Sequence, residues 1–167
     1  LGRRSSIRDI ILRTITENPG LHFRELQRRT NAATGQLQYH LYQLEKDRTI
    51  IKRTDGNLVR YFSNNSGTEM ERALLYHMRT RDTARIISSL ITGPKKMSYF
   101  YSSRRSRREL IKQKIQELEN DNLLEEYQDD GELYVRLLDR DYMVKILKQY
   151  RESFIDSMAI NLFSLLD

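Results

Sequence analysis

The chain has 167 residues, no Cys, and 29 Lys and Arg against 23 Asp and Glu, a formal net charge of +6. Without Cys there are no disulfide staples and no thiolate metal sites. No apolar run approaches the ~20 residues needed to span a bilayer and no signal-peptide pattern opens the chain, so a cytoplasmic protein without a membrane segment is expected. Leu1 in place of Met implies a processed chain or an excised piece. The positive excess sits at one end: residues 1–65 hold 12 Lys and Arg against 6 Asp and Glu, residues 66–138 hold 13 against 12, and residues 139–167 hold 4 against 5. A polyanionic partner is favoured for the first part, because each phosphate neutralised releases counterions.

In chain order, Ser6-Ile7-Arg8-Asp9 has the spacing of a capping box, and Ile7, Ile10, Ile11 and Ile15 then line one side of a helix over 7–17. Asn18-Pro19-Gly20 stops it. Phe23 and Leu26 predict a short second helix with Arg24, Arg28 and Arg29 outward. In a third helix over 36–47, Leu37, Leu41 and Leu44 make the buried stripe, leaving Gln36, Gln38, Tyr39, Tyr42 and Gln43 on other faces. Ile50-Ile51 and the run from Leu58 to Phe62 flank Asp55-Gly56-Asn57, a strong hairpin signal, with Arg53 and Arg60 bracketing the turn.

After a polar stretch, Met70, Ala73-Leu74 and Met78 predict a connecting helix. Asp82 is placed as the N-cap of the next helix, whose core stripe is Ile86, Ile87, Leu90 and Ile91, and Gly93-Pro94 ends it. Met97 to Tyr101 supplies a short middle helix. Ser106-Arg107-Arg108-Glu109 has capping-box spacing for a further helix that buries Ile111, Ile115 and Leu118, and Tyr127 to Leu138 is a second hairpin turning at Asp129-Asp130-Gly131. From Arg140 to Leu166 the apolar residues Met143, Ile146, Leu147, Tyr150, Phe154, Met158, Leu162 and Leu166 step mostly by three or four, which predicts one long helix. Its end is apolar nearly all round, so a dimer contact is expected, against folding back on its own chain or packing on a missing segment.

Helix, helix, helix, hairpin is thus written twice. Ile10-Ile11 and Ile15 recur 76 positions later as Ile86-Ile87 and Ile91, Leu41 and Leu44-Glu45 recur 74 later as Ile115 and Leu118-Glu119, and Asp55-Gly56 recurs 75 later as Asp130-Gly131. The expected fold is mainly α with small β-hairpins (α+β): tandem winged helix-turn-helix domains plus a long C-terminal helix. The expected division is 1–65, a linker helix over 66–82, 83–138, and 139–167.

The segments Asn18-Pro19-Gly20-Leu21-His22-Phe23-Arg24-Glu25-Leu26, Gly35-Gln36-Leu37-Gln38-Tyr39-His40-Leu41-Tyr42-Gln43-Leu44-Glu45 and Arg60-Tyr61-Phe62 resemble the archaeal winged-helix transcriptional regulators. They are most similar to predicted regulators with two helix-turn-helix units in one chain. The resemblance is carried by motif residues over 7–62 and by element order alone over 83–138. It implies a homodimeric regulator of double-stranded DNA whose third helix enters the major groove. This chain departs from the pattern in carrying Gln36, Gln38 and Tyr39 where related regulators often have Ser, Thr, His or Arg, and in its acidic second hairpin.

Gln forms two hydrogen bonds to adenine in the major groove, so Gln36 and Gln38 are the candidate base readers, with a solvated polar face as the alternative. Tyr39 and Tyr42 are placed either at phosphates and thymine methyls or partly in the core. Thr34 is placed as the cap of this helix, close to a phosphate. Arg28, Arg29, Arg53 and Arg60 are assigned to phosphate oxygens, where they position rather than specify. Arg104, Arg105, Arg107, Arg108 and Lys112 are secondary nucleic-acid or assembly contacts, because a hairpin with Glu125, Glu126, Asp129, Asp130 and Glu132 repels a duplex that the preceding helix enters. Their alternative is a charge run serving solubility. Dimerisation is assigned to Met143, Ile146, Leu147, Tyr150, Phe154, Met158 and Leu162. His22, His40 and His77 are scattered, no HExxH, phosphate loop or nucleophile elbow occurs, and neither enzyme activity, metal nor cofactor is expected. The leading function is a DNA-binding transcriptional regulator; the competing one is a tandem winged-helix scaffold that binds protein.

Overall fold

A computed structural model describes residues 5–65, 67–101 and 103–154. The chain is α+β and divides after Thr68 into two compact units.

The first unit comprises α1 (Ile7–Glu17), β1 (Leu21–His22), α2 (Phe23–Thr30), α3 (Thr34–Lys46), β2 (Ile50–Asp55) and β3 (Leu58–Ser63). Helix α1 starts as expected: Ser6 Oγ accepts from Asp9 N at 3.1 Å and Asp9 Oδ2 accepts from Ser6 N at 3.1 Å, so two otherwise orphaned N–H groups are satisfied. Three helices enclose Ile11 and Ile15 from α1, Leu26 from α2 and Leu37, Leu41 and Leu44 from α3, over Leu21 and Ile50 of the sheet. The strand order is β1-β3-β2, all antiparallel, with Arg53 opposite Arg60 and β2 at an open edge. Gly56, at φ +56°, takes the first position of a two-residue loop, a conformation that Gly reaches without a Cβ clash.

The second unit comprises α4 (Glu69–Met78), α5 (Arg81–Ile91), β4 (Lys95–Lys96), a 3₁₀ turn (Met97–Phe100), α6 (Arg105–Asn120), β5 (Leu124–Asp129), β6 (Glu132–Leu137), α7 (Arg140–Gln149) and a second 3₁₀ turn (Arg151–Phe154). Its sheet order, β4-β6-β5, matches that of the first unit, and Tyr127 opposite Tyr134 stands 74 positions after Arg53 opposite Arg60. The two Asp-Gly steps are therefore not equivalent. In the second loop both Asp130 (φ +47°) and Gly131 (φ +77°) are left-handed, one residue out of step with the first.

The structure corrects several sequence expectations. The predicted linker helix is α4, which packs on α5 and α7 and buries Ala73, Leu74, Leu75 and Met78. A hydrogen bond of 2.6 Å joins buried His77 Nε2 to Asp121 Oδ2 at the end of α6. Thr80, not Asp82, precedes α5 as its N-cap. Because α6 begins at Arg105, with Arg104 as N-cap, Ser106 lies inside the helix and its capping box does not form.

The C-terminal region is also different. Helix α7 ends at Gln149, with Tyr150 as its C-cap, and the chain then turns through Arg151–Phe154. Met143, Ile146, Leu147 and Phe154 are buried within this chain, so their assignment to a dimer contact does not hold. The driving force is apolar burial against α4, reinforced by Arg79, which stacks 4.3 Å from the Phe154 ring centre and donates to the Ser153 carbonyl at 3.2 Å. Burial, followed by the hydrogen bond its hydroxyl donates to Glu71, pushes the Tyr150 pKa up to about 12. Met158 and Leu162 lie outside the described residues.

Candidate nucleic-acid interface

In α3 the apolar spacing decides what faces out. Leu37, Leu41 and Leu44 point inward, so residues on the opposite side at three- and four-residue intervals project into solvent. Tyr39 and Tyr42 stand near the centre of that face at 60% and 61% exposure, which removes the core alternative for both. Gln36 and Gln38 are exposed on its two flanks. Gly35 adds open space: a Cβ built there meets nothing within 4 Å, so the first turn admits close approach of another molecule. No acidic residue occupies that turn to offset the positive end of the helix dipole.

Gln38 and Tyr42 also form the rim of a groove of about 290 Å³, together with Phe23, Leu41, Glu45, Lys52 and Tyr61. Lys52 Nζ lies 2.8 Å from Glu45 Oε1, and this hydrogen bond raises the Lys52 pKa. Burial pushes the Tyr61 phenol up as well. Lys52 is thereby engaged at the groove wall by a partner on α3.

The other predicted residues separate into those on the surface and those drawn inward. Thr34 is not the cap: Ala33 holds that position, while Thr34 Oγ1 accepts from Gln27 Nε2 at 2.9 Å and so ties α2 to the start of α3. Arg28 and Arg29 are exposed on α2, with Arg29 Nη1 donating to Asn18 Oδ1 at 2.9 Å. Arg53 is half-buried. Arg60 is withdrawn: it is 5% exposed and its Nη1 donates to the Gly20 carbonyl at 3.0 Å, which bridges the sheet to the turn after α1. Its phosphate assignment is therefore replaced by a structural one. His22 serves as the N-cap of α2, where its backbone N–H donates to Glu25 Oε2 at 3.0 Å.

The second unit sorts its charges differently. Arg107 Nη2 donates to Asp82 Oδ1 at 2.8 Å and Lys114 Nζ to Glu117 Oε2 at 2.8 Å, so these two cations are balanced locally. Arg104, Arg105, Arg108 and Lys112 are exposed. The acidic hairpin is partly balanced within its own sheet, where Arg136 Nε donates to Glu125 Oε1 at 2.6 Å and Lys96 Nζ lies 3.7 Å from Glu132 Oε1. The Glu126 pKa is raised, by burial first and then by the neighbouring charge of Glu119. Sequence reasoning missed the exposed rings of Tyr99 and Tyr101 beside this helix; their signal is a lack of helical apolar spacing around them.

The first unit has the element order of a helix-turn-helix domain, three helices followed by a hairpin. Residues 5–75, fewer than half of the 167, match the family model HTH_HVO_0163_N, described as an N-terminal HTH domain. No curated protein and no solved structure matches the chain. Among the described residues no helix is long and apolar enough to cross a membrane, and no cluster of His, Asp and Glu has the arrangement of a metal site.

Proposed function

We propose that the chain is a transcriptional regulator built from two winged-helix units in tandem, and that the first reads duplex DNA by laying α3 in the major groove. The observation that carries this reading is the solvent face of α3, which presents Gln36, Gln38, Tyr39 and Tyr42, while the neighbouring carboxylate of Glu45 is paired with Lys52. Gln supplies the paired donor and acceptor that adenine matches, and the Tyr rings offer apolar contact to thymine methyls. Arg28, Arg29 and Arg53 lie on the elements beside α3 and supply phosphate contacts that set register without reading sequence. The remaining support for a homodimer is the apolar sequence from Met158 to Leu166, because the preceding apolar residues are already buried.

Selection from a random-sequence duplex pool tests the reading and returns the preferred site. Binding should fall with salt by a log-log slope of roughly 0.9 per phosphate contacted. Gln38→Ala and Tyr42→Ala should each weaken the selected site by about 1–3 kcal/mol and relax its sequence preference. A flat salt response, or no enrichment over the starting pool, overturns the regulator reading. The competing reading is a scaffold that binds protein, and it draws on the acidic β5–β6 turn. Arg53→Glu separates the two, since a regulator loses duplex affinity whereas a scaffold retains its partner.

A further inference from the structure

The basic stretch at the start of α6 is not one patch. Arg107 and Lys114 share one flank of the helix and pair with carboxylates of the same unit. Arg105, Arg108 and Lys112, spaced three and four apart, share the other flank. There Arg108 and Lys112 stand 5.4 and 5.9 Å from the ring centre of Tyr101, and Lys95 stands 5.7 Å from that of Tyr99. Tyr99 and Tyr101 are 62% and 37% exposed. Two accessible rings thus lie two residues apart, each flanked by cations.

We propose that this flank binds single-stranded nucleic acid, with bases stacking on Tyr99 and Tyr101 and phosphates meeting Lys95, Arg105, Arg108 and Lys112. Every base has a π-face, so exposed aromatic rings among cations accept a strand without reading its sequence. An acidic peptide would satisfy the cations but leave the rings without a stacking partner. A duplex fits less well. The stripe of α6 directed away from the buried Ile111, Ile115 and Leu118 is Glu109, Gln113, Gln116 and Asn120, which brings a carboxylate towards any groove the helix enters. The β5–β6 turn adds Asp129, Asp130 and Glu132, which repel a second row of phosphates. A single strand needs only one row, and the flank supplies it. This site belongs to the second unit alone and stands independently of duplex reading by α3.

The test is fluorescence anisotropy of the full chain with a labelled oligothymidylate of about 12 nucleotides, within the usual range for one stacking module. Tyr99→Ala should weaken single-strand binding at least about fivefold. Lys112→Glu should weaken it further and lower the salt slope by roughly 0.7, the share of one phosphate on a single strand. Duplex binding through the first unit should remain unchanged in both variants, and an unchanged urea-unfolding curve of the full chain reports that the second unit is folded. If Lys112→Glu unfolds the second unit, Arg105→Glu at an exposed first-turn position carries the same expectation. Unchanged single-strand affinity in Tyr99→Ala and Arg105→Glu overturns the proposal. Displacement of the oligonucleotide by polyglutamate as readily as by unlabelled oligothymidylate also overturns it, in favour of an acidic-peptide surface.

Discussion

Replacing Phe154 with Ala tests whether the C-terminal region completes the second unit or joins two chains. The ring is fully buried, at 0% exposure, and the Arg79 guanidinium rests 4.3 Å from its centre. Removing a buried Phe costs about 3–5 kcal/mol through forfeited transfer energy and the cavity left behind. Removing the cation–π interaction adds about 0.5–1 kcal/mol. Together they approach the whole stability of a small domain, about 5–15 kcal/mol. In a domain of this size each kcal/mol lowers the melting temperature by about 4–8 °C, so the second unit should melt at least about 15 °C lower. Urea unfolding followed by circular dichroism, with sedimentation of the folded state, is the assay. Duplex binding should persist at low temperature because α3 belongs to the first unit. A destabilisation below about 1 kcal/mol, accompanied by conversion of a dimer to a monomer, would refute the argument and restore the contact between copies.

Two further outcomes follow from buried polar groups. Arg60→Ala removes the donor to the Gly20 carbonyl and should destabilise the first unit by about 1–3 kcal/mol in chemical unfolding, with a smaller effect on the salt slope of duplex binding than Arg53→Ala. Tyr150, with its pKa raised to about 12, ionises near 10 in the unfolded chain. The unfolded state therefore loses its proton first, and the Tyr150 contribution, present below pH ~10, declines up to pH ~12. Tyr150→Phe should flatten that alkaline loss in a pH series of melting curves; an unchanged slope between pH ~10 and ~12 contradicts it.

How much was legible in the sequence depended on whether a signal was local. The Ser6–Asp9 cap and the Gly56 and Gly131 turns were readable because backbone geometry at those points demands particular residues. The inward stripe of α3 was readable because helical period and apolar spacing agree. Gln36 and Gln38 reach solvent by the same logic. Arg60 was misplaced because its partner, the Gly20 carbonyl, lies 40 residues away and no pattern marks it. The apolar spacing of 143–154 is the same whether a segment covers its own chain or another, so the burial of Met143, Ile146, Leu147 and Phe154 could not be read from periodicity. Ser106 failed as a cap because α6 begins two residues earlier than a cap there requires, at Arg105.

The open edges of the two sheets carry charges of opposite sign. Strand β2 presents Lys52 and Arg53, whereas β5 presents Glu125, Glu126 and Asp129. An unpaired strand edge is a template for adding another chain, and charge along it is one way of refusing that addition. Two molecules meeting through like edges repel, and this guards each sheet against extending through its own copy.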